Sequence, residues 1–337
     1  MADTRMDLSE DALIEAVSRV LSGDHPGVVL GIGDDAALVA PGVGEGVLTT
    51  DLLVEGIHFE TDRIAARDLG AKAITVNVSD VAAMAGSPRY ALVGLALGPD
   101  VDRAWVVELA GGMREACDRY AVALVGGDMN RAPVTCIAVT LVGEVAPGRA
   151  VTRGGASPGD RIVVTGALGG AGGGFALSRA SRAVLSRAVA GGWGRPLLDA
   201  FQRPIARVGE AAVLAAAGAT AMMDLSDGIA KDLPRLCRRS GVGAEIDLDA
   251  VPIDPALREG AADHGLDALA TALGGGEDYE LVATLPAGAV AAARARLAEA
   301  FDVALTEIGR IVEGDAVVGV RDGDAAPLPA PGWHHYA

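Results

Sequence analysis

Two seven-residue stretches far apart in this chain echo each other. "NVSDVAA", Asn77 to Ala83, matches "DLSDGIA", Asp224 to Ala230, in Ser, Asp and the closing Ala, with Val set against Leu. The offset is 147 positions, and about the same offset carries "GGDM" (Gly126 to Met129) onto "GGED" (Gly275 to Asp278). "LVGEV" and "EIGRIV" stand near the ends of the two halves. Matches repeated in one order signal an internal duplication. Length agrees, because single cores rarely grow past ~250 residues and this chain has 337. The turn-rich "TRGGASPGD" marks the boundary, giving domains at 1–150 and 151–337.

Within each half, apolar runs alternate with amphipathic segments. "SEDALIEAVSRVL" reads as a helix capped by Ser9, and "GVVLGIGDDAALVA" and "GVLTTDLLVEGIHF" as strands ending in acidic turns. "AARDLGAKAITVNVSDVAAMAG" reads as helix, "YALVGLAL" as strand and "DRAWVVELAGGMREACDRY" as helix, followed by the strands "AVALVGGD" and "VTCIAVTLVGEV". The second half opens "RIVVTGALGGAGGGFAL", a strand, a glycine turn and a helix. The expected class is mixed α/β, with two related domains.

A formal net charge of -17 argues against nucleic acid or an anionic membrane as partner, and requires cations if the substrate is itself anionic. Lys72 and Lys231 are the only lysines, and both lie beside acidic motifs. Cys117, Cys136 and Cys237 have no metal-ligand spacing and fit buried thiols in a reducing compartment. The opening residues lack a signal-peptide pattern, and "AAVLAAAGATAMM" is too short to cross a bilayer. The expectation is a soluble cytoplasmic protein.

The acidic residues carry the chemistry. Asp34, Asp35, Asp51, Asp80, Asp128, Asp224 and Asp227 nearly all follow an apolar strand or end a glycine turn, where α/β folds bind ligands. Each alone reads as a turn or cap aspartate, and Asp224 as a helix cap. Together their burial without a cation would be costly. With the hydroxyls of Thr49, Thr50 and Ser226 they form an all-oxygen donor set suited to Mg2+ or Mn2+. "TGALGGAGGGF" fits either a phosphate cradle or a closely packed turn, since the Walker lysine is missing. If a nucleotide binds there, Arg153 is the best-placed arginine. His58 reads as a structural or a ligand-facing histidine, and Trp333 as a tail anchor or a stacking face.

As a set, "GIGDDAA", "TTDLLVEGIHF", "KAITVNVSDVAAMAG", "VGGDMNRAP", "RGGASPGD", "MMDLSDGIAKDL", "GGGEDYEL" and the terminal "GW" resemble the thiamine-monophosphate kinase family, within the aminoimidazole ribonucleotide synthetase-like ATP-dependent superfamily. The resemblance runs from about residue 7 to residue 335. It implies two α/β domains, pairing of the N-terminal sheets in a homodimer, and γ-phosphoryl transfer from ATP to thiamine monophosphate as the last step of thiamine diphosphate synthesis. It implies several Mg2+ ions at Asp35, Thr49, Thr50, Asp51, Asp80, Asp128, Asp224 and Asp227. ATP contacts fall on Gly127, Asp128, Arg153 and Ser226, and thiamine-substrate contacts on His58, Glu277 and Trp333. "LAGGM" near residue 111 departs from the aromatic residue expected beside the adenine. The alternatives are another ATP-dependent enzyme of the superfamily and a non-catalytic Mg-nucleotide-binding regulator.

Overall fold

The structure is a computed structural model. It describes residues 10–21, 23, 25–30 and 38–329, and every element named below lies among them. The chain divides into two compact units: residues up to Val81 with Gly86–Gly148, and Ala82–Ala85 with the residues from Arg149 on.

The first unit contains α1 (Glu10–Leu21), β1 (Val28–Leu30), β2 (Leu38–Val39), β3 (Glu45–Val54), α2 (Ala66–Ala83), β4 (Ser87–Leu97), α3 (Arg103–Tyr120), β5 (Ala123–Arg131) and β6 (Cys136–Val145). Among the described residues its main sheet has the order β3-β6-β4-β5. β4 and β5 are parallel, as a crossover through a helix such as α3 allows, and the other pairs are antiparallel. One sheet face is covered: Val47 and Leu53 of β3 are buried, as are Leu69, Ile74, Val78 and Val81 of α2. The other face is open, with Leu48 at 71% and Leu52 at 53% exposure on β3 and Leu92 exposed on β4.

The departure at "LAGGM" has a packing cause. A Cβ on Gly112 would stand 1.7 Å from the Arg67 carbonyl oxygen, and one on Gly70 would stand 2.0 Å from that of Leu109. Two glycines inside helices each cost about 1 kcal/mol relative to Ala. Here they let α2 and α3 cross with their backbones in contact.

The second unit contains β7 (Arg161–Thr165), α4 (Gly170–Ser178), α5 (Arg182–Ala190), α6 (Gly194–Gln202), α7 (Val208–Ala216), β8 (Ala221–Asp224), α8 (Ile229–Ser240), β9 (Gly243–Asp247), α9 (Pro255–His264), α10 (Ala268–Gly274), β10 (Leu281–Leu285), α11 (Val290–Phe301), β11 (Leu305–Val312), β12 (Val317–Arg321) and β13 (Asp324–Pro327). Among the described residues the sheet order is β13-β12-β9-β11-β7-β10-β8, antiparallel except for β12 beside β9. Both faces of its centre are buried. Ile162, Val164, Met223 and Val282 join one core with Leu233 and Leu236 of α8, whereas Val163, Met222, Leu281 and Ala283 join another with Leu214 and Leu297. This is why "RIVVT" and "LVATL" read as unbroken apolar runs instead of alternating ones.

The sequence echo is not an echo of local structure. "NVSDVAA" lies wholly inside α2, whereas "DLSDGIA" runs from the end of β8 through a turn into α8. Gly228, at φ +92°, keeps that turn out of a helix. Likewise "GGDM" is strand and "GGED" is loop.

Candidate active site

In the first unit the site is built by β3 and α2. Thr49 and Asp51 alternate with Thr50, so their side chains take the opposite face of the strand. The Thr49 hydroxyl donates to Asp80 Oδ2 at 2.5 Å. β3 is an edge strand, and the buried Asn77 side chain on α2 accepts its Asp51 N–H at 3.0 Å. Asn77 in turn donates through Nδ2 to the Ala73 carbonyl. Asp51 is thereby held close enough to feel Asp80. Burial, and then the charge of Asp80, push its carboxyl up to about 6.

The remaining candidates of this unit lie elsewhere. The Thr50 hydroxyl faces away from that pair, donating to the Val139 carbonyl and accepting from Thr140. Asp128 is exposed on β5, the far edge of the sheet from β3, where it accepts from Asn130 Nδ2 at 2.8 Å. With β6 and β4 between, strand spacing alone separates those edges by roughly 14 Å. Gly127 has a backbone reason to be glycine, since a Cβ there would stand 2.1 Å from the Val93 carbonyl oxygen. His58, half-buried just after β3, accepts the Val54 N–H on Nδ1 at 3.0 Å, which puts the proton of a neutral ring on Nε2. Asp34, Asp35 and Trp333 lie outside the described residues.

The expectation that nearly all of these aspartates follow an apolar strand or end a glycine turn is thus corrected. Asp51 and Asp128 lie within strands and Asp80 within a helix; among the described members of the set only Asp224 ends a strand, and Asp227 sits in the turn after it. The helix read over "AARDLGAKAITVNVSDVAAMAG" is the one that carries Asp80.

In the second unit two loops are zipped together. The Leu225 N–H donates to the Glu280 carbonyl at 2.8 Å, Tyr279 N–H to Leu225 at 3.0 Å, and Glu277 N–H to Ser226 at 2.8 Å. Glu277 and Tyr279 both hold positive φ, 59° and 50°, a conformation that costs a side-chain-bearing residue about 1 kcal/mol or more. Such strain persists only where neighbours enforce it, and it marks the segment carrying Glu277 as a shaped one. Behind it, Arg207 grips the buried Glu280 carboxylate with Nε at 2.8 Å and Nη2 at 2.5 Å, and Thr165 donates to the same group at 2.5 Å.

Asp224 and Asp227 are both buried here. Asp227 Oδ2 meets Lys231 Nζ at 2.8 Å and Arg235 Nη1 at 2.7 Å. Burial raises its pKa, yet these two cations outweigh burial and hold the carboxyl below its ordinary value. The Asp227 N–H donates to Asp232, which burial pushes up to about 6. Arg153 is exposed, and its carbonyl accepts from the Ser240 hydroxyl. Sequence reasoning missed Asn77, Arg207, Arg235 and Glu280, and gave Asp232, one of the three crowded aspartates of "MMDLSDGIAKD", no role of its own. Only Asn77 left a signal, as the first residue of the repeated heptad.

The glycine turn is resolved as close packing. A Cβ on Gly174 would stand 2.0 Å from the Leu197 carbonyl oxygen of α6, and one on Gly172 would stand 2.8 Å from Gly275 Cα. The N-terminus of α4 is already filled by an anion of the chain. Asp278 accepts the Gly169 N–H at 2.7 Å and the Ala171 N–H at 3.1 Å, and burial pushes its carboxyl up to about 7.

Among the described residues no three His, Cys, Asp or Glu side chains converge on a point that could hold a metal ion. The Asp51, Asp80 and Thr49 group nonetheless suits Mg2+, which keeps several waters and takes only one or two carboxylates alongside substrate phosphates. The Asp51 carboxyl is raised first by burial and then by the charge of Asp80, and a cation beside it would relieve both. Asp227 differs, because Lys231 and Arg235 supply its counter-charge.

Residues 33–145 match the model of AIR synthase related proteins, N-terminal domain, and residues 157–322 match the corresponding C-terminal domain. A thiamine-monophosphate kinase of Escherichia coli K12 is 37% identical over 315 residues, covering 92% of this chain and 93% of that protein. The chain belongs to the thiamine-monophosphate kinase family. The crystal structure of thiamine-monophosphate kinase from Stenotrophomonas maltophilia K279a superposes with a TM-score of 0.79 at 37% identity, covering 93% of this chain and 95% of that one. A second structure, AaThiL complexed with AMPPCP and TMP, superposes with a TM-score of 0.75 at 32% identity, covering 99% of this chain and all of its own. The thiamine-monophosphate kinase motifs therefore span both units of this chain, each on its own AIR synthase-related domain.

Proposed function

We propose that this chain transfers the γ-phosphoryl group of ATP onto the phosphate of thiamine monophosphate, giving thiamine diphosphate and ADP with the help of several Mg2+ ions. One observation carries the reading: Thr49 and Asn77 hold Asp51 and Asp80 close together, in a chain matched over 92% of its length by a kinase of this name. Bound Mg2+ would neutralise and orient the phosphate oxygens of both substrates. Asp51 and Asp80, with Thr49, are the holders assigned in the first unit, and Asp224 and Asp227 those in the second. To these we assign Asp35, Asp128 and Thr50 from the sequence motifs, although the Thr50 hydroxyl is turned to the other face of its strand.

For ATP the assigned contacts are Gly127, Asp128, Arg153 and Ser226. For the thiamine substrate they are His58, Glu277 and Trp333, the last as a ring against the cationic thiazolium. No general base is assigned. A phosphate monoester loses its second proton near ~6 and is already an oxygen nucleophile at neutral pH. Phosphoryl transfer asks chiefly for positioning and charge stabilisation, which the carboxylate frame supplies through the ions it holds. The cytoplasm is the assigned compartment, since Cys117, Cys136 and Cys237 are all free, with Cys117 and Cys237 buried and their thiols pushed up to about 12 and 11 by burial.

The open face of the first unit's sheet, with Leu48, Leu52 and Leu92, is assigned to a second copy of the chain. Exposed apolar patches of this kind mark association surfaces. Sedimentation equilibrium at micromolar concentration is expected to give a dimer, and a monomer would remove this assignment. The reaction itself is tested by ADP release from ATP and Mg2+, with and without thiamine monophosphate, and chromatography of the product. ADP that depends on the acceptor, with matching thiamine diphosphate, is the expected result. ADP without that product would reject the substrate, and nucleotide binding without ADP would make the chain a regulator.

A further inference from the structure

We propose that Asp278 is a positioning residue for the thiamine substrate: its carboxylate ties residues 276–279 to the start of α4 and so holds Glu277 in the conformation that meets the substrate. The inference rests on the assignment of Glu277 as a thiamine contact.

The segment is bent against its own preference. Gly276, Glu277 and Tyr279 hold φ of 69°, 59° and 50°. Residues with side chains leave that left-handed region unless their surroundings forbid it. On one side the hold is backbone, through the bonds of Glu277 N–H to Ser226 and of Tyr279 N–H to Leu225. On the other side it is the Asp278 side chain. Its Oδ2 accepts the Gly169 N–H at 2.7 Å and its Oδ1 the Ala171 N–H at 3.1 Å, so both carboxylate oxygens grip the first turn of α4.

That turn takes its partner from outside the helix. Gly169, the cap residue, makes no side-chain bond to the first N–H groups, and Asp278 supplies it from 109 positions away. The anchor is firmly placed, since a Cβ on Gly169 would stand 2.7 Å from Ala272 Cα. Stability does not explain a carboxylate here. Burial, and then the charges of Glu280 and Asp254, push it up to about 7 from its ordinary 3.8. Stability from that difference is fully present below pH 3.8 and is lost as pH rises through about 7. At pH 8 an uncharged side chain of the same shape would therefore be less costly to bury, and a local cost of this kind points to a role in the site.

The test is steady-state kinetics of the full chain at pH 8 and saturating Mg2+, with thiamine monophosphate and ATP varied in turn, beside calorimetric melts. Asp278→Asn keeps the shape and loses one of the two bonds, and Asp278→Ser shortens the arm. Both are expected to raise KM for thiamine monophosphate about tenfold, with KM for ATP within about twofold of wild type. Asp278→Asn is expected to melt within about 3 °C of wild type, because the removed buried charge offsets the lost bond. Since Asp278 acts through Glu277, adding Asp278→Asn to Glu277→Ala is expected to leave KM at the value of Glu277→Ala alone. An unchanged KM for thiamine monophosphate in a folded variant, or an equal rise in KM for ATP, would overturn the inference. A full tenfold rise on top of Glu277→Ala, or failure of both variants to fold, would overturn it as well. A wild-type KM in Glu277→Ala would overturn the assignment of Glu277, and the absence of acceptor-dependent ADP in wild type would remove the reaction, each taking the inference with it.

Discussion

Asp51→Asn is expected to lower turnover by about three orders of magnitude while the metal-free protein melts higher than wild type at pH 8. The loss follows from removing one of two carboxylates that hold a cation against transferring phosphates, a contribution of several kcal/mol at roughly 1.4 kcal/mol per decade. The gain follows from linkage. In the folded chain the Asp51 carboxyl is raised to about 6 from its ordinary 3.8, so the folded state binds this proton more tightly than the unfolded state. Stability from that difference is fully present below pH 3.8 and is lost as pH rises through about 6. Asparagine has no charge to bury beside Asp80, and it leaves the Asp51 N–H bond to Asn77 untouched. Calorimetric melts in EDTA at pH 4.5 and pH 8, beside kcat with saturating Mg2+, check both halves. A tenth or more of wild-type turnover would take Asp51 out of the site.

Arg207→Met is expected to lower the melting temperature by roughly 6–20 °C. Breaking a buried pair by removing one partner costs about 3–5 kcal/mol, and a domain of this size shifts by about 2–4 °C per kcal/mol. Glu280, with 8% side-chain exposure, would keep the Thr165 hydroxyl but lose both guanidinium bonds. It has no route to water without moving the segment that carries Glu277 and Tyr279 in their strained conformation. Arg207 Nη1 also meets the buried Glu210 carboxylate at 3.2 Å, so adding Glu280→Gln to Arg207→Met removes one of two orphaned charges and is expected to recover part of the loss. If the double variant melts at or below the single one, the pair is not what holds this segment. Differential scanning calorimetry of the two variants decides the matter.

Much of this architecture was legible in the residues because it follows from periodicity. The apolar pattern of "YALVGLAL" and the Asp102-capped "RAWVVELAGGMREACDRY" specify their elements with no tertiary help. The site was legible only as a set of carboxylates. The helix carrying Asp80 was legible, but the two heptads echo each other in sequence and not in structure, because only the second has a glycine, Gly228, after its aspartate. Thr50 and Thr49 are adjacent and chemically identical, and a one-residue strand phase separates a hydroxyl on Asp80 from one on the open face. The roles of Asp232 and Arg235 could not be read, since they depend on which side of α8 faces the turn.

The glycines of residues 166–175 have a consequence for anyone who tries to infer chemistry from tolerance to mutation. Gly169, Gly172 and Gly174 stand where a methyl group would strike neighbouring backbone, and Asp278 has already taken the amide groups at the helix start. In a growth selection these positions would score as severely as any ligand residue, and the profile would invite the reading of a nucleotide loop. Their intolerance would measure how closely two helices touch, and it would persist in an inactive protein selected for folding alone.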